Sequence, residues 1–134
     1  MSEQSPAELL REAATRMRQS AEAVIAEDLH HGRWWVREFG MPAGCPFYVQ
    51  GDESHLILAQ FLRHREAAYV AGMDPATALA IADWLDDAAD ARETTEATAK
   101  SVGVDASMID GRTPVALTAA RTYLRHEPTE AAAR

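Results

Sequence analysis

His30, His31, His55, His64 and Cys45 are the side chains here that could hold a metal ion, as neutral imidazole or thiolate. Their spacing argues against it. Adjacent His30 and His31 cannot readily chelate together, and no C-x-x-C or H-E-x-x-H pattern occurs. The expectation is therefore no metal and no cofactor. The segment RHRE, residues 63–66, offers a different chemistry, with His64 as a general base beside Glu66. Such a base must reach a substrate proton inside a pocket, and nothing in the pattern builds one. There is no glycine-rich phosphate loop and no nucleophile elbow. The reading is a chain without catalytic residues, not an enzyme.

Charge offers more. Asp83, Asp86, Asp87, Asp90 and Glu93 fall at i, i+3, i+4, i+7 and i+10. On a helix expected over 75–91 they share the solvent side. Like charges at i, i+4 cost about 0.2–0.5 kcal/mol per pair. Toward a helix C-terminus the macrodipole also disfavours anions. Arg92 is the one neighbour in sequence that could offset them. A run that breaks local rules can mark a docking face for a basic partner. The ordinary alternative is a solvated face on an acidic protein.

The stretch GRWWVREFG, residues 32–40, raises a third possibility. In a strand, successive side chains leave opposite faces. Trp34, Val36 and Glu38 then share one face, and Trp35, Arg37 and Phe39 the other. Trp34 is assigned to the core. Trp35 is assigned to the outer face, beside Arg33 and Arg37, with Tyr48 and Ile57 nearby. There, either the arginines cover the ring by cation–π stacking or the face is a protein interface or homodimer contact.

These residues need elements to position them. Ser5, Pro6 and Glu8 form a helix start with a capping box, and Leu10, Ala13, Ala14, Met17, Ala21 and Val24 recur along one stripe through residue 27. RWWVREF, PFYVQ and HLILAQF read as three short strands of an antiparallel meander. The apolar stripe of the first helix is the expected cover of that sheet. Residues 63–72 read as a short helix ended by Gly72, with a fourth strand as the alternative. Asp74 and Pro75 open a long helix with Ala78, Ile81, Ala82, Leu85, Ala88 and Ala89 on its apolar side. Thr94, Thr95 and Thr98 are poor mid-helix residues, so residues 92–112 are expected to fray into a loop pinned by Val102, Val104 and Ile109. Thr113–Pro114 opens a last helix through Arg125, with Leu117, Ala120 and Leu124 inward and Tyr123 at the edge. The predicted fold is α+β, one domain over 1–126 with a loose tail at 127–134.

Bulk properties limit the function classes. The chain of 134 residues has a net charge of −8, with twelve acids and six basic residues after position 65. It lacks the electrostatic footprint of a nucleic-acid binder. With Cys45 alone, no internal disulfide forms. The start, MSEQSPAELLREAATRMRQ, is amphipathic and is not read as a secretory signal, and no apolar run approaches a membrane span of roughly 20 residues. The expected location is the cytoplasm.

SPAELLREAATRMRQSAEA, GRWWV, AAYVAGMDPATALAIADWLDDAA and ALTAARTYL together resemble a group of small actinobacterial and actinophage proteins of unknown function. Their pattern is an N-terminal helix, a Gly-x-Trp strand, an IAxxxP-type helix pair and a closing AxARxYL helix. The likeness omits residues 40–60 and 92–112. Trp34 matches the family tryptophan, Trp35 is additional, and Arg33 stands where the family has proline. The resemblance implies a phage or mobile-element accessory and brings no catalytic residue with it.

Two function classes follow. One is an interaction protein that binds a protein partner or itself through Trp35, Arg37 and Tyr48, through Asp83, Asp86, Asp87, Asp90 and Glu93, or through both. The other is a small-molecule-binding or enzymatic domain with a pocket between sheet and helices.

Overall fold

The capping box closes as its residues require. The Ser5 amide donates to Glu8 Oε2 at 2.9 Å and the Glu8 amide donates to Ser5 Oγ at 3.2 Å. Helix α1, Pro6–Ala26, follows, and its predicted stripe is buried from Leu10 through Ala21. The computed structural model describes residues 3–27, 32–38, 46–51 and 57–126. Strands β1 (Trp34–Glu38), β2 (Phe47–Gly51) and β3 (Ile57–Phe61) come next, then helices α2 (His64–Ala71), α3 (Pro75–Val102) and α4 (Thr113–His126). A single 3₁₀ turn, Ala106–Met108, lies between α3 and α4. The fold is α+β in the order helix, strands, helices. Among the described residues, no helix is long and apolar enough to cross a membrane.

Contacts group the chain into two units, one formed by the described parts of 1–16 and 81–134, the other by 17–80. In the second unit the sheet order is β1-β2-β3, antiparallel throughout. Trp34 stands opposite Gly51, Val36 opposite Val49 and Glu38 opposite Phe47. The register shifts between Val49 and Gln50, leaving Leu58 without a Cα partner. Trp34, Val36, Phe47, Leu58 and Phe61 pack on a small core of Val49, Ala67 and Ala71. The short helix α2 packs on this sheet and touches all three strands. Alanines at 67 and 71, one turn apart, let that helix sit close to the sheet.

The first unit is built from helix alone, and its buried apolar positions are mostly alanine: Ala7, Ala13, Ala14, Ala82, Ala89, Ala99, Ala116 and Ala120, with Leu10 and Leu85. The largest difference from expectation lies here. Helix α3 does not end at residue 91 but continues to Val102. Thr94 returns its hydroxyl to the Asp90 carbonyl at 3.2 Å, Arg92 pairs with Glu96 at 2.8 Å, and Ala99 is buried. These contacts outweigh propensity losses of about 0.5 kcal/mol per threonine. Gly103, at φ 77°, ends the helix, and the Val104 amide reaches back to the Ala99 carbonyl at 3.0 Å. This six-to-one bond satisfies a terminal carbonyl and needs a left-handed residue, which glycine supplies. Val102, Val104 and Ile109 pin nothing; all three are exposed.

Candidate functional site

The residues singled out in the sequence fall into two sets, one in each unit. On the sheet, Trp35, Gln50 and Ile57 form one cross-strand row and Arg37, Tyr48 and Gln60 the next. Strand alternation puts both rows on the face opposite Trp34 and Val36. The Arg33 guanidinium lies over the Trp35 ring at 3.9 Å and that of Arg37 at 5.9 Å. The half-buried indole is thus stacked by its sequence neighbours, a contact worth at least about 0.5–1 kcal/mol. Phe39 lies outside the described residues, as do His30, His31, Cys45 and His55. His64 is exposed at the start of α2, and its ring meets Phe47 edge-on with centroids 5.4 Å apart. Among the described residues, no three His, Cys, Asp or Glu side chains group to hold a metal.

The acidic stripe is real as a surface but different in its balance. Asp83, Asp87, Asp90 and Glu93 are exposed and Asp86 is half-buried. Because α3 extends to Val102, the stripe lies mid-helix, beyond reach of a dipole effect that fades within the last turn. Nor does Arg92 neutralise it. Arg11 of α1 does, donating to Asp90 at 2.8 Å and to Glu93. Its hydrogen bonds hold the Glu93 carboxyl below the usual range and raise the Arg11 guanidinium. Asp83 and Asp86 have partners as well. Asp87 makes no hydrogen bond or ion pair among the described residues.

Arg92 faces the other way. Its guanidinium joins Glu96 at 2.8 Å and Asp110 at 2.9 Å, with side-chain exposures of 15% for Arg92 and 6% for Asp110. Asp110 Oδ1 also accepts from the Arg112 and Thr113 amides, each at 3.0 Å, and Oδ2 accepts from the Thr113 hydroxyl. Burial pushes this carboxyl up. Hydrogen bonds from the Thr113 hydroxyl and amide, from Arg92 and from the Arg112 amide outweigh that, holding it well below the usual carboxylate range. Asp110 is thereby both the cap of α4 and its tie to α3. Sequence reasoning placed it in a loop; the cue was an acid three residues before a Thr-Pro helix start.

That tie sets the walls of a groove. Trp84, Asp87, Ala88 and Ala91 of α3 face Gly111, Arg112, Val115 and Ala116 around a cavity of about 360 Å³. Trp84 is 44% exposed and Val115 65%, while the neighbouring Leu85 and Ala116 are buried. Trp84 Nε1, the Asp87 carboxylate and the Arg112 guanidinium have no partner among the described residues, and Asp87 and Arg112 do not pair with each other. Apart from Asp87 in the acidic stripe and Ala88 on the apolar one, no pattern marks these positions. The available signal was an aromatic residue off the apolar stripe of α3. A second cavity, about 390 Å³, is lined by Glu3, Gln4, Ser5, Pro6, Leu9 and Arg121.

No family model, curated protein or solved structure matches this chain.

Proposed function

We propose that this protein is a non-catalytic interaction module whose α3–α4 groove receives a segment of a protein partner. The observation that carries the reading is the groove itself: an apolar floor, an exposed tryptophan and a few unengaged polar groups at its rim. Recognition sites combine an apolar surface with a small number of such groups, and tryptophan and arginine are frequent anchors of interfaces. The acidic surface of α3 adjoins the groove through Asp87 and would steer a partner electrostatically. The phage or mobile-element setting rests on the sequence resemblance alone, and the cytoplasmic location on the amphipathic start and the lack of a long apolar run.

Val115→Glu tests this without touching a buried residue. Affinity capture from the native host should retain a partner with wild type and lose it with the variant. Equal recovery of the same partner by both would refute the groove as the binding site.

A second reading is self-association through the outer sheet face. It is supported by the row Trp35–Gln50–Ile57, which sets an indole and an exposed isoleucine on one side of the sheet.

A further inference from the structure

The groove has a polarity that defines its ligand more narrowly than an apolar surface would. Its α3 wall carries Asp87, the carboxylate that Arg11 leaves unneutralised. Its other wall carries Arg112, just before α4, whose backbone amide is held by Asp110 while its side chain stays exposed. Opposite charges thus flank an apolar floor of Ala88, Ala91 and Ala116, with Trp84 and Val115 at the mouth. The two charges line the same cavity and do not pair with each other. A cavity of about 360 Å³ suits an inserted side chain or two, at the small end of ligand pockets of roughly 300–1,000 Å³.

Resting on the interaction reading above, we infer that the groove takes a short peptide segment of mixed charge, an apolar anchor residue with a Lys or Arg on one side and an Asp or Glu on the other. The anchor covers Trp84 and Val115. The basic residue meets Asp87 and the acidic residue meets Arg112, the latter able to form a two-pronged bond to a carboxylate. A uniformly basic segment gains Asp87 but sets like charge against Arg112. A uniformly acidic one does the reverse. Such penalties for the wrong partner are how charged rims confer specificity.

The test uses four Ala-based peptides and the full-length protein. One carries Leu with Lys four residues before it and Glu four residues after. The second replaces Glu with Lys, the third replaces Lys with Glu, and the fourth replaces Leu with Ala. Titration followed by ¹H–¹⁵N spectra reads the Trp84 indole and Val115 amide directly. The mixed-charge peptide should bind at least 5-fold more tightly than either single-charge peptide, on the order of 1 kcal/mol. The Ala peptide should lose about 10-fold or more, the scale of burying one Leu side chain. Asp87→Lys should weaken the mixed peptide, and Asp87→Lys with Arg112→Glu should restore it in the reversed orientation. If all three Leu peptides bind equally at Trp84, the charge inference is overturned while the groove remains a binding site. If the uniformly basic peptide binds best, the ligand is set by the acidic surface of α3 and the inference is again overturned. If no peptide shifts Trp84 or Val115, the inference fails outright.

Discussion

Asp110→Ala is the most informative single change in the helical unit. The carboxylate caps α4 and bonds Arg92 at 2.9 Å with only 6% of its side chain exposed. Losing a cap costs about 1 kcal/mol. A charge-assisted hydrogen bond adds about 1.5–3 kcal/mol. The expected loss is therefore about 2.5–4 kcal/mol, held below the full penalty of an orphaned buried ion because Arg92 keeps Glu96. With an unfolding entropy of roughly 2.1 cal/mol/K per residue, this corresponds to a Tm drop of about 9–14 °C. Asp110→Asn keeps an acceptor for the amides and loses the charge, so it should cost about 1.5–3 kcal/mol. Urea denaturation of both variants, of Arg92→Ala and of the Arg92→Ala/Asp110→Ala pair closes a cycle, with an expected coupling of about 1–2 kcal/mol. The same group sets an acid dependence. The folded carboxyl is depressed, so its contribution is complete above the ordinary carboxylate value of about 3.9 and is lost as pH falls through the lower folded value. Wild type should thus lose stability progressively below about pH 5, and Asp110→Asn should lose less over that window. A loss under 1 kcal/mol for Asp110→Ala, or additivity within the cycle, would refute the tie between α3 and α4.

Five further outcomes follow from named residues. Arg11→Ala should lower the Tm at low ionic strength, and 0.5–1 M salt, on the order of a 3–5 Å screening length, should recover part of it by screening Asp90 and Glu93. Asp87→Asn should leave the Tm unchanged or slightly raised, because Asp87 has no ion pair among the described residues to lose; a clear drop in a thermal melt would contradict its place in the groove. Gly103→Ala should destabilise by about 1–2 kcal/mol in chemical denaturation, from the left-handed backbone at φ 77° alone, since nothing lies within 4 Å of an added Cβ. Trp34→Ala should cost about 3 kcal/mol, the low end for an aromatic core truncation. Trp35→Ala should cost less than Trp34→Ala, losing stacking on Arg33 and Arg37 worth about 0.5–1 kcal/mol together with part of a half-buried ring. The reverse order would invert the face assignment, and a sedimentation profile unmoved by Trp35→Ala would reject self-association through the sheet.

Local signals determined much of this protein from sequence alone. Ser5 with Glu8 and Asp74 with Pro75 start α1 and α3 where they were read, because a cap is chemistry between residues three apart and needs no tertiary partner. Alternation placed Trp34 and Val36 on the core face because the two-residue period of a strand is geometric. The short helix ending at Gly72 and the α+β order follow from the same punctuation. What the chain decided only on folding was everything set by a distant neighbour. The continuation of α3 through three threonines depends on Ala99 being buried and on Arg92 finding Glu96 and Asp110, eighteen positions away in the latter case. The charge balance of the acidic stripe depends on Arg11, which is 79 residues from Asp90. The packing of α2 on the sheet is of the same kind, since Ala67 and Ala71 meet Val49 only once the strands are in place. The groove was invisible for the same reason: a cavity is the space left when α3 and α4 are tied together, and no residue in either helix encodes that space by itself.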